Sequence, residues 1–189
     1  NESSGKQGYA IAETLQSLGA KTTLVSGPTS LAEPNVEQVI KVDSADQMLE
    51  ACESSLPADI AVCAAAVADY KIANKEIAKI KKDGSSQNII LEENPDILER
   101  LSKRNHLRPK LVVGFAAETS NLERNSDEKL NKKGCDWVLG NNVSENSIFN
   151  QDTNKIYFTS KLYSENWELM TKKEVAKKLC QKISLHLNN

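Results

Sequence analysis

Few of the usual chemical signatures occur in this chain of 189 residues. Its four cysteines, Cys52, Cys63, Cys135 and Cys180, are far apart, form no CxxC pair, and have only His106 and His186 to help them. That spacing argues against a zinc site and leaves the cysteines as reduced core thiols. Neither histidine has a nearby serine or cysteine partner, so no nucleophilic triad can be drawn. There is no excess of charge: 24 Lys plus Arg stand against 26 Asp plus Glu, a net of -2. Bulk attraction to nucleic acid or to an anionic membrane is thereby excluded, and any anion site must be local. No apolar run reaches the roughly 20 residues of a membrane span, and no signal-peptide pattern is seen, so a cytoplasmic protein is expected. The dinucleotide fingerprint G-x-G-x-x-G is absent. The Walker pattern fails as well, because Gln7 follows Lys6 where Ser or Thr is required.

What is present is an alternation of apolar strands and amphipathic helices. The length suits one α/β domain over residues 1–189 with enough interior for a sizeable core. Ser3 and Ser4 can cap a helix over 6–18 that stops at Gly19, and strands over 22–25 and 39–42 follow. Ser44 with Gln47 spells a capping box for the next helix. Buried strands are expected over 60–66 and 111–116, an extended stretch over 88–91 and a short strand over 137–139. Helices are expected over 96–103 and over 122–133, the latter stopped by Gly134. Strands over 156–158 and 167–169 precede a final helix whose cap is Thr171 with Glu174. This order predicts a mainly parallel sheet with helices on both faces. The opening at Asn1 leads almost at once into a helix, where such folds ordinarily place a strand, and a preceding strand is therefore expected.

In open α/β sheets ligands bind beyond the carboxyl ends of strands, so residues just after each strand carry the most information. Cys63 through Ala68 is a run of small residues ending at Asp69 and Tyr70, which lets a ligand lie close to the backbone. Lys79, Lys81 and Lys82 follow, able to neutralise phosphate oxygens or simply to form a solvated basic face. Asn94-Pro95-Asp96 reads as a helix entry or as part of a site. Lys129 and Lys133, four apart, share one helix face near its last turn, where they also complement the helix dipole. Ser3 through Gly8 offers either an anion-binding turn or a capped helix start.

Seven short motifs in a fixed order carry a stronger signal than any one of them. They are Asn1 through Gly8, Ser26-Gly27-Pro28, Ala65 through Tyr70, Lys79 through Lys82, Asn94 through Leu98, Gly114 through Thr119, and Lys129 through Asp136. Together they resemble phosphopantothenoylcysteine synthetase, in the bacterial CTP-using form that is often fused behind a flavin-dependent decarboxylase. The resemblance covers nearly the whole chain and lacks only the family's leading strand and glycine-rich turn. It implies an α/β, Rossmann-like three-layer fold with a smaller β extension or flap around 70–92, and a homodimer joined through that region.

It also implies an activity: amide formation between 4'-phosphopantothenate and L-cysteine in coenzyme A biosynthesis. CTP, with Mg2+, would activate the carboxylate as an acyl-cytidylate. By matching motif, Lys79 and Asn1 would be catalytic, the first bringing charge to the phosphates and the second steadying the acyl-cytidylate. Cys63, Ala64, Ala65, Asp69, Pro95, Asp96, Ile97, Leu98, Phe115, Lys129 and Lys133 would line the nucleotide site, and Asn1, Ala65 and Ala66 the acid substrate. Asn141-Asn142-Val143 stands where the family commonly has Asn-Asp-Val, so a carboxylate at 142 is lost. Two other readings remain open from the residues alone: an NAD(P)-binding oxidoreductase and a noncatalytic nucleotide-binding module.

Overall fold

Alternate residues of one long strand divide the interior into two layers. In the computed structural model, which describes residues 4–73, 88–142 and 153–188, that strand runs from Leu111 to Glu118. The elements in chain order are α1 (Lys6–Ser17), β1 (Thr23–Ser26), β2 (Gln38–Lys41), α2 (Ala45–Ser54), β3 (Ile60–Cys63), β4 (Tyr70–Ile72) and β5 (Leu91–Glu93). They continue with α3 (Ile97–Ser102), β6 (Leu111–Glu118), α4 (Leu122–Lys133), β7 (Trp137–Asn142), β8 (Thr153–Ser160), β9 (Ser164–Thr171) and α5 (Lys172–Leu187).

Five strands form the main sheet in the order β3-β6-β7-β8-β9. The first three are parallel, whereas β8 and β9 add antiparallel to the β7 side. Leu111 and Val113 of β6, with Trp137 and Leu139 of β7, point to a core closed by α1 and α5 through Ile11, Val175, Leu179 and Ile183. Val112, Ala116 and Val138 point the other way, to a second core closed by Leu98 of α3 and Leu130 of α4. The period-two alternation of a strand buried on both sides thus yields three layers.

Local signals account for most element ends. Both capping boxes are made: Ser44 with Gln47 opens α2, and Thr171 with Glu174 opens α5. Gly134 ends α4 at φ 70, a left-handed conformation that glycine adopts without a Cβ clash. At α1 the expectation is corrected, since the cap position is Gly5 at φ 72 and not Ser3 or Ser4. Ser3 lies outside the described residues.

Three further differences come from tertiary packing. β3 stops at Cys63, paired with Gly114, so residues 64–66 leave the sheet instead of extending it as expected. Between 70 and 93, where local pattern shows only irregular chain and an extended stretch over 88–91 and the family resemblance implies a small β extension, β4 and β5 form an antiparallel ribbon with Tyr70 opposite Glu93. β1 and β2 pair with each other in parallel as a separate two-stranded sheet. Among the described residues no helix is long and apolar enough to cross a membrane.

Candidate nucleotide site

β3 ends level with Gly114, and beyond it β6 runs on paired only with β7, which leaves a crevice on its other edge above the last β3 pair. Two helices frame this crevice on the face that bears Val112 and Ala116. Both come in close because glycines stand beneath them. A Cβ on Gly114 would sit 2.6 Å from Leu98 Cδ2 of α3, and one on Gly140 would sit 2.2 Å from Ser126 Oγ of α4. Neither distance occurs between real atoms, so the two glycines set how near the helices lie.

The last turns of α4 carry Lys129 and Lys133, and the close approach delivers both ammonium groups. Lys129 Nζ donates to the Phe115 carbonyl at 2.6 Å, just past the end of β3. Lys133 Nζ donates to Asp96 Oδ2 and lies 3.7 Å from Glu99 Oε2. Asp96 is also the cap of α3, where its Oδ1 accepts the Glu99 N–H at 2.8 Å. Burial pushes the Asp96 carboxyl up, but the Lys133 hydrogen bond and the Glu99 N–H outweigh it and hold the group below its ordinary value of 3.8. The Asp96 hydrogen bond in turn raises Lys133. Both partners are thus charged at neutral pH.

Asn94 ties the small-residue loop to this helix entry. Its N–H donates to the Asp69 carbonyl at 2.8 Å and its Nδ2 to the Ala68 carbonyl at 2.9 Å, one residue before Pro95. Cys63 sits within the field of Asp96 and Lys129. Burial first, then the Cys52 and Cys135 thiols, pushes the Cys63 thiol up to about 12, so it is a neutral wall and no nucleophile at neutral pH.

Of the expected site residues, Cys63, Asp96, Phe115, Lys129 and Lys133 come together here, and Asp69 and Pro95 join them through Asn94. Ala65, Ala66 and Asp69 are exposed, Ala64 is half-buried, and Ile97 and Leu98 are buried. Phe115 presents its carbonyl to Lys129, while its side chain packs with the α1–α5 core, opposite Leu98. Asn1 and Lys79, with Lys81 and Lys82, lie outside the described residues. Among the described residues no group of three or more His, Cys, Asp or Glu could hold a metal. A cavity of about 490 Å³ at the other end of α4 is lined by Leu122, Arg124, Asn142, Lys155, Tyr157 and Asn166, among others, and by none of the expected site residues. Lys129 and Lys133, by contrast, reach groups that lie just beyond the carboxyl end of β3, where open α/β sheets bind their ligands.

Two links within the candidate site had no signal in the sequence. The Lys133–Asp96 pair joins residues 37 apart, and Asn94 bridges back 26 residues to Ala68.

Residues 1–186 match the family model described as DNA/pantothenate metabolism flavoprotein C-terminal domain. The chain is 39% identical over 184 residues to the coenzyme A biosynthesis bifunctional protein CoaBC of Haemophilus influenzae, covering 97% of this chain and 46% of that protein. It is 36% identical over 188 residues to the Bacillus subtilis protein of the same name, with coverages of 97% and 46%. The chain therefore spans about half the length of the curated relatives it matches. A solved C-terminal domain of a CoaBC protein superimposes with a TM-score of 0.79 at 34% identity, over all of this chain and 85% of that one.

Proposed function

Because the chain belongs to the family of DNA/pantothenate metabolism flavoprotein C-terminal domains, we infer that it is the ligase that joins 4'-phosphopantothenate to L-cysteine in coenzyme A biosynthesis. The observation that carries this reading is the convergence of Lys129, Lys133, Asp96 and the Phe115 carbonyl at the crevice beyond β3. A carboxylate is a poor electrophile, since its charge is delocalised and its leaving group would be oxide. In the reaction we assign, the phosphopantothenate carboxylate oxygen attacks the α-phosphorus of CTP, which enters as its magnesium complex. The α–β anhydride bond breaks, pyrophosphate leaves, and an acyl-cytidylate remains. The cysteine amine then adds to the acyl carbon and loses a proton, and CMP departs as the amide forms.

Little covalent work falls to the protein, so positioning and charge dominate. Lys129 and Lys133 hold nucleotide phosphates, and Lys79 brings a further charge to them. The backbone of 63–65 lies along the nucleotide. Asn1, as a neutral donor, steadies the acyl oxygen without competing for its charge.

The chain works as a homodimer through the β4–β5 ribbon, which exposes 55% of Tyr70, 46% of Ile72 and 57% of Leu91. Apolar side chains this open on a short edge ribbon favour burial against a second copy. A flavin-dependent decarboxylase, fused or separate, acts on the product.

The test is pyrophosphate release by the full chain. It is expected only when CTP and 4'-phosphopantothenate are both present, and release that ignores phosphopantothenate would refute the reading. Lys79→Gln is expected to lower turnover by at least about 100-fold, roughly 2.7 kcal/mol of transition-state stabilisation.

A further inference from the structure

We propose that Asp96 is a positioning residue, whose carboxylate pins the Lys133 ammonium at the crevice while capping α3. The proposal rests on the nucleotide reading of the crevice and adds to it how one lysine is aimed. The two oxygens of Asp96 have separate tasks: Oδ1 accepts the Glu99 N–H at 2.8 Å, and Oδ2 accepts Lys133 Nζ. The lysine has three N–H donors, so one bond to Asp96 fixes the group and leaves others for an incoming phosphate.

A competitor stands nearby. Glu99 Oε2 is 3.7 Å from Lys133 Nζ, and Glu99 Oε1 already takes Lys103 at 2.5 Å. Without the Asp96 charge, Lys133 would pair with Glu99, three residues further along α3, and its ammonium would leave the crevice for the helix flank. The 19% exposure of the Lys133 side chain leaves it few other partners.

This separates Asp96 from a residue that touches nucleotide directly. Asp96→Asn keeps an oxygen for the α3 cap but removes the charge that holds Lys133. The experiment is calorimetric titration of the full chain with magnesium CTP, for the parent, Asp96→Asn, Lys133→Met and the double variant. Asp96→Asn is expected to weaken binding about 10-fold, and the double variant to bind within about 2-fold of Lys133→Met alone, because both changes remove one interaction. Multiplying effects would show Asp96 acting independently of Lys133 and overturn the proposal, leaving the nucleotide reading intact. Unchanged affinity in Asp96→Asn, with a melting temperature as low as that of Asp96→Ala, would reduce Asp96 to a helix cap and overturn it too. A parent chain that binds no CTP would remove the nucleotide reading, and the proposal with it.

Discussion

Replacing Arg108 by Met tests what holds α3, β6 and α4 in register beneath the crevice. Arg108 Nε donates to the Ser102 carbonyl at 2.7 Å and Nη1 to the Pro109 carbonyl at 2.8 Å. Its Nη2 reaches the Gly134 carbonyl at 3.3 Å and the Asp136 carboxylate at 3.0 and 2.9 Å. Asp136 Oδ2 also accepts the Val112 N–H at 2.7 Å. One guanidinium therefore ties the end of α3, the approach to β6 and the stop of α4, the helix that presents Lys133. Methionine keeps much of the apolar stem, so the change isolates the polar head.

The size of the loss follows from burial. Breaking a fully buried ion pair costs about 3–5 kcal/mol, whereas an exposed pair contributes about 0–1 kcal/mol. Here the side chains of Arg108 and Asp136 retain 26% and 28% exposure, so water can reach part of what is orphaned. Ser102 is nearly closed off at 5%, and its carbonyl loses a charged donor. An intermediate loss of about 2–3 kcal/mol is expected, or roughly 5–10 °C in melting temperature for a chain of this size. Urea unfolding gives the free energy, and the Arg108→Met/Asp136→Asn cycle gives the coupling, expected at about 1–2 kcal/mol. A variant within about 0.5 kcal/mol of the parent would refute the reasoning, since the network would then be a surface contact without energetic weight.

Three other outcomes are expected. Thr171→Ala removes the Oγ1 that accepts the Glu174 N–H at 3.2 Å and should cost about 1 kcal/mol in urea unfolding; no change would mean that the α5 packing alone fixes the helix start. Gly114→Ala forces Leu98 away from β6 and should destabilise by about 1–3 kcal/mol, with Gly114→Val worse, whereas a stable Gly114→Val would show that α3 is free to move. The Asp96 carboxyl titrates lower folded than unfolded, so its stabilisation is fully present above its ordinary value of 3.8 and is lost as pH falls through the lower folded value. The stability gap between parent and Asp96→Asn should therefore hold from neutral pH to about 4 and close below it; a gap independent of pH would discount the Lys133 pair.

Sequence alone settled what short-range physics controls. The capping boxes at Ser44 and Thr171 and the Gly134 stop are legible because their partners lie within a few residues. The strand core at 111–116 is legible because a strand covered on both faces must be apolar without interruption. The spacing of Lys129 and Lys133 puts them on one helix face before any fold is known.

Tertiary structure decided which groups those lysines meet. Lys129 finds the Phe115 carbonyl, 14 residues back, and Lys133 finds Asp96, 37 back, because α4 sinks onto Gly140 and α3 onto Gly114. The end of β3 at Cys63 and the β4–β5 ribbon have the same origin, since strand ends and pairings depend on neighbours distant in sequence. Local pattern names the elements; the depth to which helices pack on a sheet aims their side chains, and that depth is a property of the assembled layers.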